Sequence, residues 1–206
     1  MPKTTLTTIL VSLISAATVS VSAAAEPDLM AGFYMGGGLN YTNLELDGEQ
    51  SSILVDDSSV GYGVIAGFRL NPNIAFELGY KDFGTIEENY ESGNSSDTEL
   101  SATTLAMKIN LPIDSGVGVF LGFGYGRYDG EFLFTDTLGT GGQKTEFDEN
   151  GYFVQMGLSY AIWEKLSLGL SYQYHGFKVD DQFDQSAVGS VDSTLSEISM
   201  DAMYEF

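Results

Sequence analysis

From residue 32 onward, apolar residues alternate with small or polar residues along the chain. In one segment, Leu166, Leu168 and Leu170 share one parity, and Ser167 and Gly169 share the other. This period of two is that of a β-strand, because successive side chains of a strand point to opposite faces of the sheet. An amphipathic helix would not keep this parity. We therefore expect eight strands, whose segments begin near Phe33, Val60, Ile74, Thr104, Val117, Tyr152, Leu166 and Glu197.

The connections between these segments alternate between long and short. The long connections are predicted at Glu45–Ser59, Gly84–Asp97, Asp129–Glu149 and Gly176–Ser193, and the short ones at Asn71–Asn73, Pro112–Gly116 and Trp163–Lys165. Outer-membrane barrels have short periplasmic turns and long extracellular loops, whereas a soluble sandwich has no reason to sort its loops in this way. The pattern predicts an all-β fold, an eight-stranded antiparallel up-and-down transmembrane β-barrel.

Periodicity alone leaves open which face points inward. The alternative to a membrane barrel is a soluble barrel with an apolar lumen, whose outer face would be rich in Lys, Glu and Thr. Here the second face consists largely of Gly, Ala, Ser and Gln, with few charges that can balance, which is typical of the packed lumen of a small barrel. We therefore expect the apolar face to contact lipid and the lumen to hold structural ion pairs among Arg69, Glu77, Lys81, Lys108, Glu197 and Asp201.

One of these carboxylates has a predicted place between two cations. Glu77 lies on the third segment, between the segments that carry Arg69 and Lys108. Consecutive antiparallel strands lie about 5 Å apart, so the three side chains are within reach of one another. We expect Glu77 to bridge the two cations, with Glu197 and Asp201 as competing partners.

Aromatic residues cluster near the ends of the segments. Membrane barrels carry aromatic girdles of this kind at the two lipid–water interfaces. The girdles are predicted to consist of Phe33, Tyr160, Trp163, Tyr204 and Phe206 on the turn side and of Tyr41, Tyr80, Tyr125, Tyr172 and Tyr174 on the loop side.

The first 25 residues have the features of a secretory signal peptide. Lys3 is followed by the uncharged stretch 6–21 and by the small residues 23–25. The alternative is a membrane-anchor helix, but the stretch is short, rich in Thr and Ser, and has no positive flank after it. We therefore divide the chain into a signal peptide, 1–25, and an outer-membrane β-barrel, 26–206, and expect export to the cell outer membrane.

The composition excludes several classes of function. The chain has 8 basic and 29 acidic residues, a net charge of −21, which repels nucleic acid. The absence of cysteine rules out disulfides and thiolate ligands, and a single histidine leaves little for a metal site. We expect no cofactor, no resident metal and no nucleic-acid partner.

Most of the acidic residues fall in the four predicted long loops. These loops contain nineteen Asp or Glu residues against Lys144 and Lys178. Two interpretations remain open, namely a solvated acidic surface, and binding of divalent cations that bridge to anionic lipopolysaccharide. No run has the spacing of a calcium-binding loop.

The chain resembles the OmpA-like transmembrane domain within the superfamily of small outer-membrane barrels. The resemblance rests on the ranges 32–39, 66–73 and 76–84 and on a last strand that ends in Phe206. It implies insertion by the outer-membrane assembly machinery, with Tyr204 and Phe206 as the assembly signal. The family's C-terminal peptidoglycan-binding domain is not expected, because the chain stops after the eighth segment.

Three patterns suggest catalytic or binding chemistry, and each has a simpler explanation. The glycines of 122–126 resemble a phosphate loop, but no helix follows, and packing inside the barrel explains them. His175 and Ser171 share a face, as a lipid A deacylase would require, but no serine lies close after the histidine, and a polar rim residue is the simpler interpretation. Glu77, Glu197 and Asp201 resemble a glycosidase pair, yet a lumen filled by side chains cannot admit a sugar.

The sequence thus predicts a structural or surface-interaction barrel without catalysis, expected to be monomeric in lipid and lipopolysaccharide. Its four long acidic extracellular loops would bind any surface ligand or divalent cation. The alternatives are a lipid-modifying outer-membrane enzyme of the lipid A deacylase kind and a narrow, gated channel.

Overall fold

A computed structural model of the protein describes residues 31–47, 57–89, 95–114, 116–135, 143–180 and 190–206. The predicted signal peptide, 1–25, lies outside these residues. The described chain consists of eight strands: β1 Gly32–Asp47, β2 Asp57–Asn71, β3 Ile74–Asn89, β4 Ser95–Asp114, β5 Val117–Thr135, β6 Gln143–Trp163, β7 Leu166–Asp180 and β8 Ser190–Glu205.

Each strand pairs in antiparallel fashion with the next, and β8 pairs with β1, so the sheet closes into a barrel. The predicted eight-stranded up-and-down barrel is confirmed. Within the described ranges, the protein has no helix with the length and hydropathy needed to cross a membrane.

The strands are strongly staggered around the barrel. Residue pairs followed from Tyr34 on β1 through every strand return to β1 at Leu44, ten positions further along. In a barrel of eight strands, a stagger of this size accompanies a strand tilt of about 40° and an interior just wide enough for side chains. All residues on this path have inward parity, and the path crosses both Glu77 and His175.

The outer surface is apolar between two aromatic girdles, as the alternation predicts. Phe33 is 67% exposed, Leu39 65% and Tyr41 52%, whereas Tyr34 and Asn40 of the same strand are buried. The same division holds on the other strands, and exposed aromatic side chains mark both ends. The apolar face therefore points outward.

The tight connections are as predicted, but the long ones are much shorter than expected. At the turn Pro72–Asn73, the carboxamide oxygen of Asn71 accepts hydrogen bonds from the backbone N–H groups of Asn73 and Ile74, each at 2.9 Å. At the other end, the strands extend far into the predicted loops and leave only 48–56, 90–94, 136–142 and 181–189 between them. We call these two ends of the barrel the turn end and the loop end.

A bulge on β3 explains part of the difference between the predicted loop that starts at Gly84 and the strand that is found there. The pairing of β3 with β4 shifts between Asp82 and Thr85, so that β3 has one extra residue there. Gly84 adopts a positive φ of 79°, a conformation that favours glycine, and its N–H donates to the Asp82 carboxylate at 2.8 Å. Because the bulge changes the parity of the strand, Phe83 and Ile86 both point inward.

These two residues belong to a hydrophobic cluster that fills the lumen towards the loop end. We call it the apolar plug; its members are Leu44, Phe83, Ile86, Leu100, Ala102, Tyr128, Phe177 and Leu195, with Phe147 packed against them. Phe83, Tyr128 and Leu195 are completely buried. The strand extensions therefore enclose a core of their own, which the loop prediction had missed.

Candidate functional site

The outer face of the extended strands β4, β5 and β6 carries acidic side chains in register. Glu99 pairs with Glu131, and Glu131 with Glu146, so three carboxylates form one row across the sheet. Asp129 pairs with Asp148 in the next row towards the membrane. Like charges placed directly opposite each other destabilise a sheet unless cations lie between them. We call these five residues the acidic wall.

Two cations lie within the wall and join its strands. Lys144 contacts Glu131 at 2.8 Å and Glu146 at 3.1 Å, and these hydrogen bonds raise the pKa of its ammonium group above the usual value. Arg127 forms an ion pair with Asp148 and lies 3.6 Å from Asp129. All these groups are exposed to solvent, so the wall keeps a net negative charge at its surface.

A cavity of about 740 Å³ opens beside the wall at the loop end. It combines carboxylates with two aromatic side chains, and it begins at the girdle residue Tyr80. Its charged and aromatic lining consists of Tyr80, Asp82, Glu99, Asp129, Glu131, Glu146, Phe147, Asp148 and Glu149. Charge and shape together would suit a cationic ligand.

The acidic residues are not arranged as the loop prediction expected. Asp97 and the acidic wall lie on strands, because the strands extend beyond the girdle. The acidic residues of 48–56, 91, 136 and 181–184 lie outside the described residues. Among the residues described, no group of three or more His, Asp or Glu side chains is placed to hold a metal ion.

The lumen below the plug contains ion pairs on inward-facing positions. Lys108 lies 3.0 Å from Glu77, and the Tyr34 hydroxyl donates to the same carboxylate at 2.7 Å. Lys81 reaches across the lumen to Glu197 at 2.7 Å. All five side chains are buried, so each charge has its partner inside the barrel.

Two of the predicted lumenal charges are placed differently from expectation. Arg69 does not share Glu77 with Lys108; it binds Glu205 through both carboxylate oxygens, at 2.5 and 2.6 Å, at the turn end. Glu205 was overlooked as a partner, although its parity on the last strand marked it as inward. Asp201 forms no ion pair within the described chain and accepts a hydrogen bond from Ser199 at 3.2 Å.

His175 is not a rim residue. It is fully buried between the rings of Phe83, Tyr128 and Phe153, where it joins the plug to the ion pairs. Its Nδ1 lies 2.8 Å from the Tyr128 hydroxyl, and its Nε2 lies 3.2 Å from Glu197.

The geometry does not assemble the catalytic arrangements considered from the sequence. The Ser171 hydroxyl forms hydrogen bonds with Ser199 at 2.7 Å and with Gln173 at 3.3 Å. His175 contacts Tyr128 and Glu197 instead of Ser171. The glycines of 122–126 lie on strand β5, where a Cβ at Gly122 would meet Gln155 and one at Gly124 would meet Phe153. These glycines make room for side chains in the lumen.

The predicted assembly signal lies at the seam of the barrel. Tyr204 and Phe206 point outward in the turn-side girdle, with their ring centroids 5.4 Å apart. The backbone N–H of Phe206 donates to the carbonyl of Phe33 at 3.1 Å, so the last residue is paired with the first strand.

Comparison with known proteins identifies relatives across almost the whole chain. The family model described as outer membrane protein beta-barrel domain matches residues 9–206. Outer membrane protein P5 of Haemophilus influenzae is 26% identical over 181 residues, which are 84% of this chain and 51% of the relative. The chain thus spans about half the length of this curated relative.

Two solved structures have the same fold at low sequence identity. Neisserial surface protein A matches with a TM-score of 0.60 and 22% identity, over 85% of this chain and 99% of its own. Ail, the attachment invasion locus protein of Yersinia pestis, was solved with the heparin analogue sucrose octasulfate. It matches with a TM-score of 0.53 and 13% identity, over 86% of this chain and 100% of its own.

Proposed function

Because the chain belongs to the outer membrane protein β-barrel domain family, we propose that it is a non-catalytic surface protein of the outer membrane that binds cationic partners at its loop end. The barrel spans the outer membrane, and its rigid strands present the loop end to the medium. The observation that carries the proposal is the acidic wall, in which five carboxylates face one another across three strands and Lys144 and Arg127 offset only part of their charge.

The partner is defined by charge. A basic peptide segment would relieve the repulsion within the wall, and so would a divalent cation attracted by the surface charge rather than held by a set of ligands. Such a cation would also bridge the wall to lipopolysaccharide phosphates. The Ail structure holds a polyanionic heparin analogue, whereas the wall of this chain would repel such a ligand.

The experiment compares binding of decalysine and of Ca²⁺ to the full chain in lipid vesicles. Glu99→Gln combined with Glu146→Gln should weaken the binding of decalysine and of Ca²⁺ at least several-fold. Binding of either ligand to the wild type should weaken as the salt concentration is raised. The charge-preserving pair Glu99→Asp and Glu146→Asp serves as the matched control, and Glu164→Gln tests the opposite end of the barrel. Equal binding by the wild type and the Gln variant would refute the proposal.

The absence of catalysis is part of the same proposal. Its support is the hydrogen bonding of Ser171 and His175, which gives each residue a partner other than the one that acyl transfer requires. Lipid A extracted from cells with and without the gene should have the same acyl pattern. A loss of one acyl chain that depends on His175 would instead favour the lipid-modifying enzyme.

Insertion of the barrel is proposed to depend on the assembly machinery that reads an aromatic last strand. The support is the position of Tyr204 and Phe206 on the closing strand, next to β1. Tyr204→Ala combined with Phe206→Ala should lower the yield of heat-modifiable protein in the outer membrane fraction. An undiminished yield would remove this part of the proposal.

A further inference from the structure

The lumen changes from polar to apolar between two neighbouring rows of inward-facing residues. On β1, β8 and β7, Thr42, Glu197 and Gln173 form one row across the wall of the barrel. The next inward row towards the loop end contains Leu44 and Leu195, which are members of the apolar plug. The lumen therefore changes from polar to apolar over a step of two residues along β1 and β8.

Below this boundary, the lumen has the composition of a hydrated space. Asn40 Oδ1, Thr42 Oγ1 and Gln173 Oε1 are buried and have no hydrogen-bond partner among the residues that the structure describes. Buried polar atoms of this kind usually bind water. At the turn end, a cavity of about 230 Å³ opens beside Arg69 and Lys108.

Above the boundary, Ser193 Oγ is also buried without a partner among the described residues, but the members of the plug itself offer water almost no polar group. Phe83 and Leu195 are fully buried and apolar, and the Tyr128 hydroxyl is engaged by His175. An apolar constriction blocks ions by excluding water, since an ion cannot enter it without losing its hydration shell. Charged side chains impose no such dry segment, because they exchange contacts with water and with each other.

We propose that the barrel is a closed channel, hydrated from the turn end up to Glu197 and sealed by the apolar plug alone. The ion pairs of Glu77 with Lys108 and of Lys81 with Glu197 hold the strands together but are not the barrier to ions. This assigns to the protein a latent conductance that its surface role does not require.

The test is ion conductance of the full chain, refolded from its purified form, in planar lipid bilayers. Leu195→Asn keeps the branched shape and the number of side-chain heavy atoms but places a polar group in the plug where water can bind, and Phe177→Ala opens space within it. Both should conduct at least tenfold more than the wild type. Glu77→Gln combined with Lys108→Met removes an ion pair, leaves the plug intact, and should conduct no more than the wild type.

Heat-modifiability on gels shows which variants are folded, and only folded protein is tested. If either plug variant fails to fold, Leu44→Asn replaces it at the neighbouring position of the same row. Folded plug variants without added conductance would overturn the proposal. It would also be overturned if removal of the ion pair alone opened the channel, or if the wild type already conducted as well as the plug variants.

Discussion

Two regions of the same lumen are held together by different interactions. Between the turn end and Glu197, buried charges on the three strands β3, β4 and β8 form ion pairs, and glycines make room for the long side chains. Beyond Glu197, aromatic and aliphatic side chains pack in the manner of a soluble protein core. The first region lies between the two aromatic girdles, and the second supports the strands that extend beyond the loop-side girdle. The comparison shows that an outer-membrane barrel needs a core of its own where the lipid ends.

The largest effect is expected from removing an aromatic ring from the plug. Phe83→Ala should destabilise the barrel by about 4 kcal/mol, because it leaves a cavity in a fully buried site. Urea unfolding in lipid vesicles measures the change. Phe83→Leu is the matched control and should cost clearly less. A loss below about 1 kcal/mol would mean that the plug does not behave as a packed core.

Removal of one partner of a buried ion pair should lower the free energy of unfolding almost as much as Phe83→Ala does. Glu77→Ala should cost about 3 kcal/mol, since it leaves the Lys108 ammonium buried without its carboxylate. The same unfolding experiment applies, with Glu77→Gln as the control that keeps a hydrogen-bond acceptor for Tyr34. An Ala variant as stable as the wild type would show that water replaces the carboxylate at no cost.

Coupling between the two partners sharpens the comparison. Glu77→Ala combined with Lys108→Met should cost less than the sum of the single changes, by about 1–2 kcal/mol, because the double variant leaves no unpaired charge. A double-mutant cycle between Glu77 and Phe83 should show no such coupling. Strict additivity for Glu77 and Lys108 would mean that the contact contributes nothing as a pair.

At the turn end, the ion pair of Arg69 with Glu205 is partly exposed and should contribute less to stability than the buried pairs. Arg69→Met should cost about 1 kcal/mol, because solvent screens the Arg69–Glu205 pair, whose side chains are 24% and 25% exposed. Raising the salt concentration should reduce the difference from the wild type in the unfolding midpoint. An effect as large as that of Glu77→Ala would place this pair in the same class as the buried ones.

The smallest effect is expected on the acidic wall, outside both regions. Lys144→Met removes solvent-exposed contacts with Glu131 and Glu146, so the unfolding midpoint should hardly move. The same change should strengthen decalysine binding, since it removes a positive charge from the wall. A marked loss of stability would show that Lys144 is needed to hold β5 and β6 together.

Alternation of side chains was sufficient to predict the membrane part of the molecule. The parity of Leu168, Glu77 and Lys108 follows from the pleat, and the antiparallel order of the strands brings Glu77 and Lys108 together. The partner of Arg69 was not predicted, because Glu205 comes from the far end of the chain, and its position depends on how β8 meets β1.

The plug was hidden from sequence reasoning for a different reason. The bulge at Gly84 breaks the alternation, so Phe83 and Ile86 do not share a parity in the sequence although both point inward. The sequence predicts a rim position for His175 because Gly176 resembles the start of a loop, whereas β7 continues to Asp180. The acidic content of the strand extensions also suggested loops, since an exposed strand and a loop can have the same polar composition.

The seam between β1 and β8 has a consequence for how the protein folds. It joins 32–47 to 190–205, so the contacts that complete the sheet connect the two most distant parts of the described chain. Such long-range pairing is slow, because the entropy of closing the intervening chain must be lost before the contacts form. Until then, both edge strands expose unpaired backbone groups, which lipid cannot satisfy. Closure and membrane insertion should therefore proceed together, and a nascent chain awaiting β8 would need protection from aggregation.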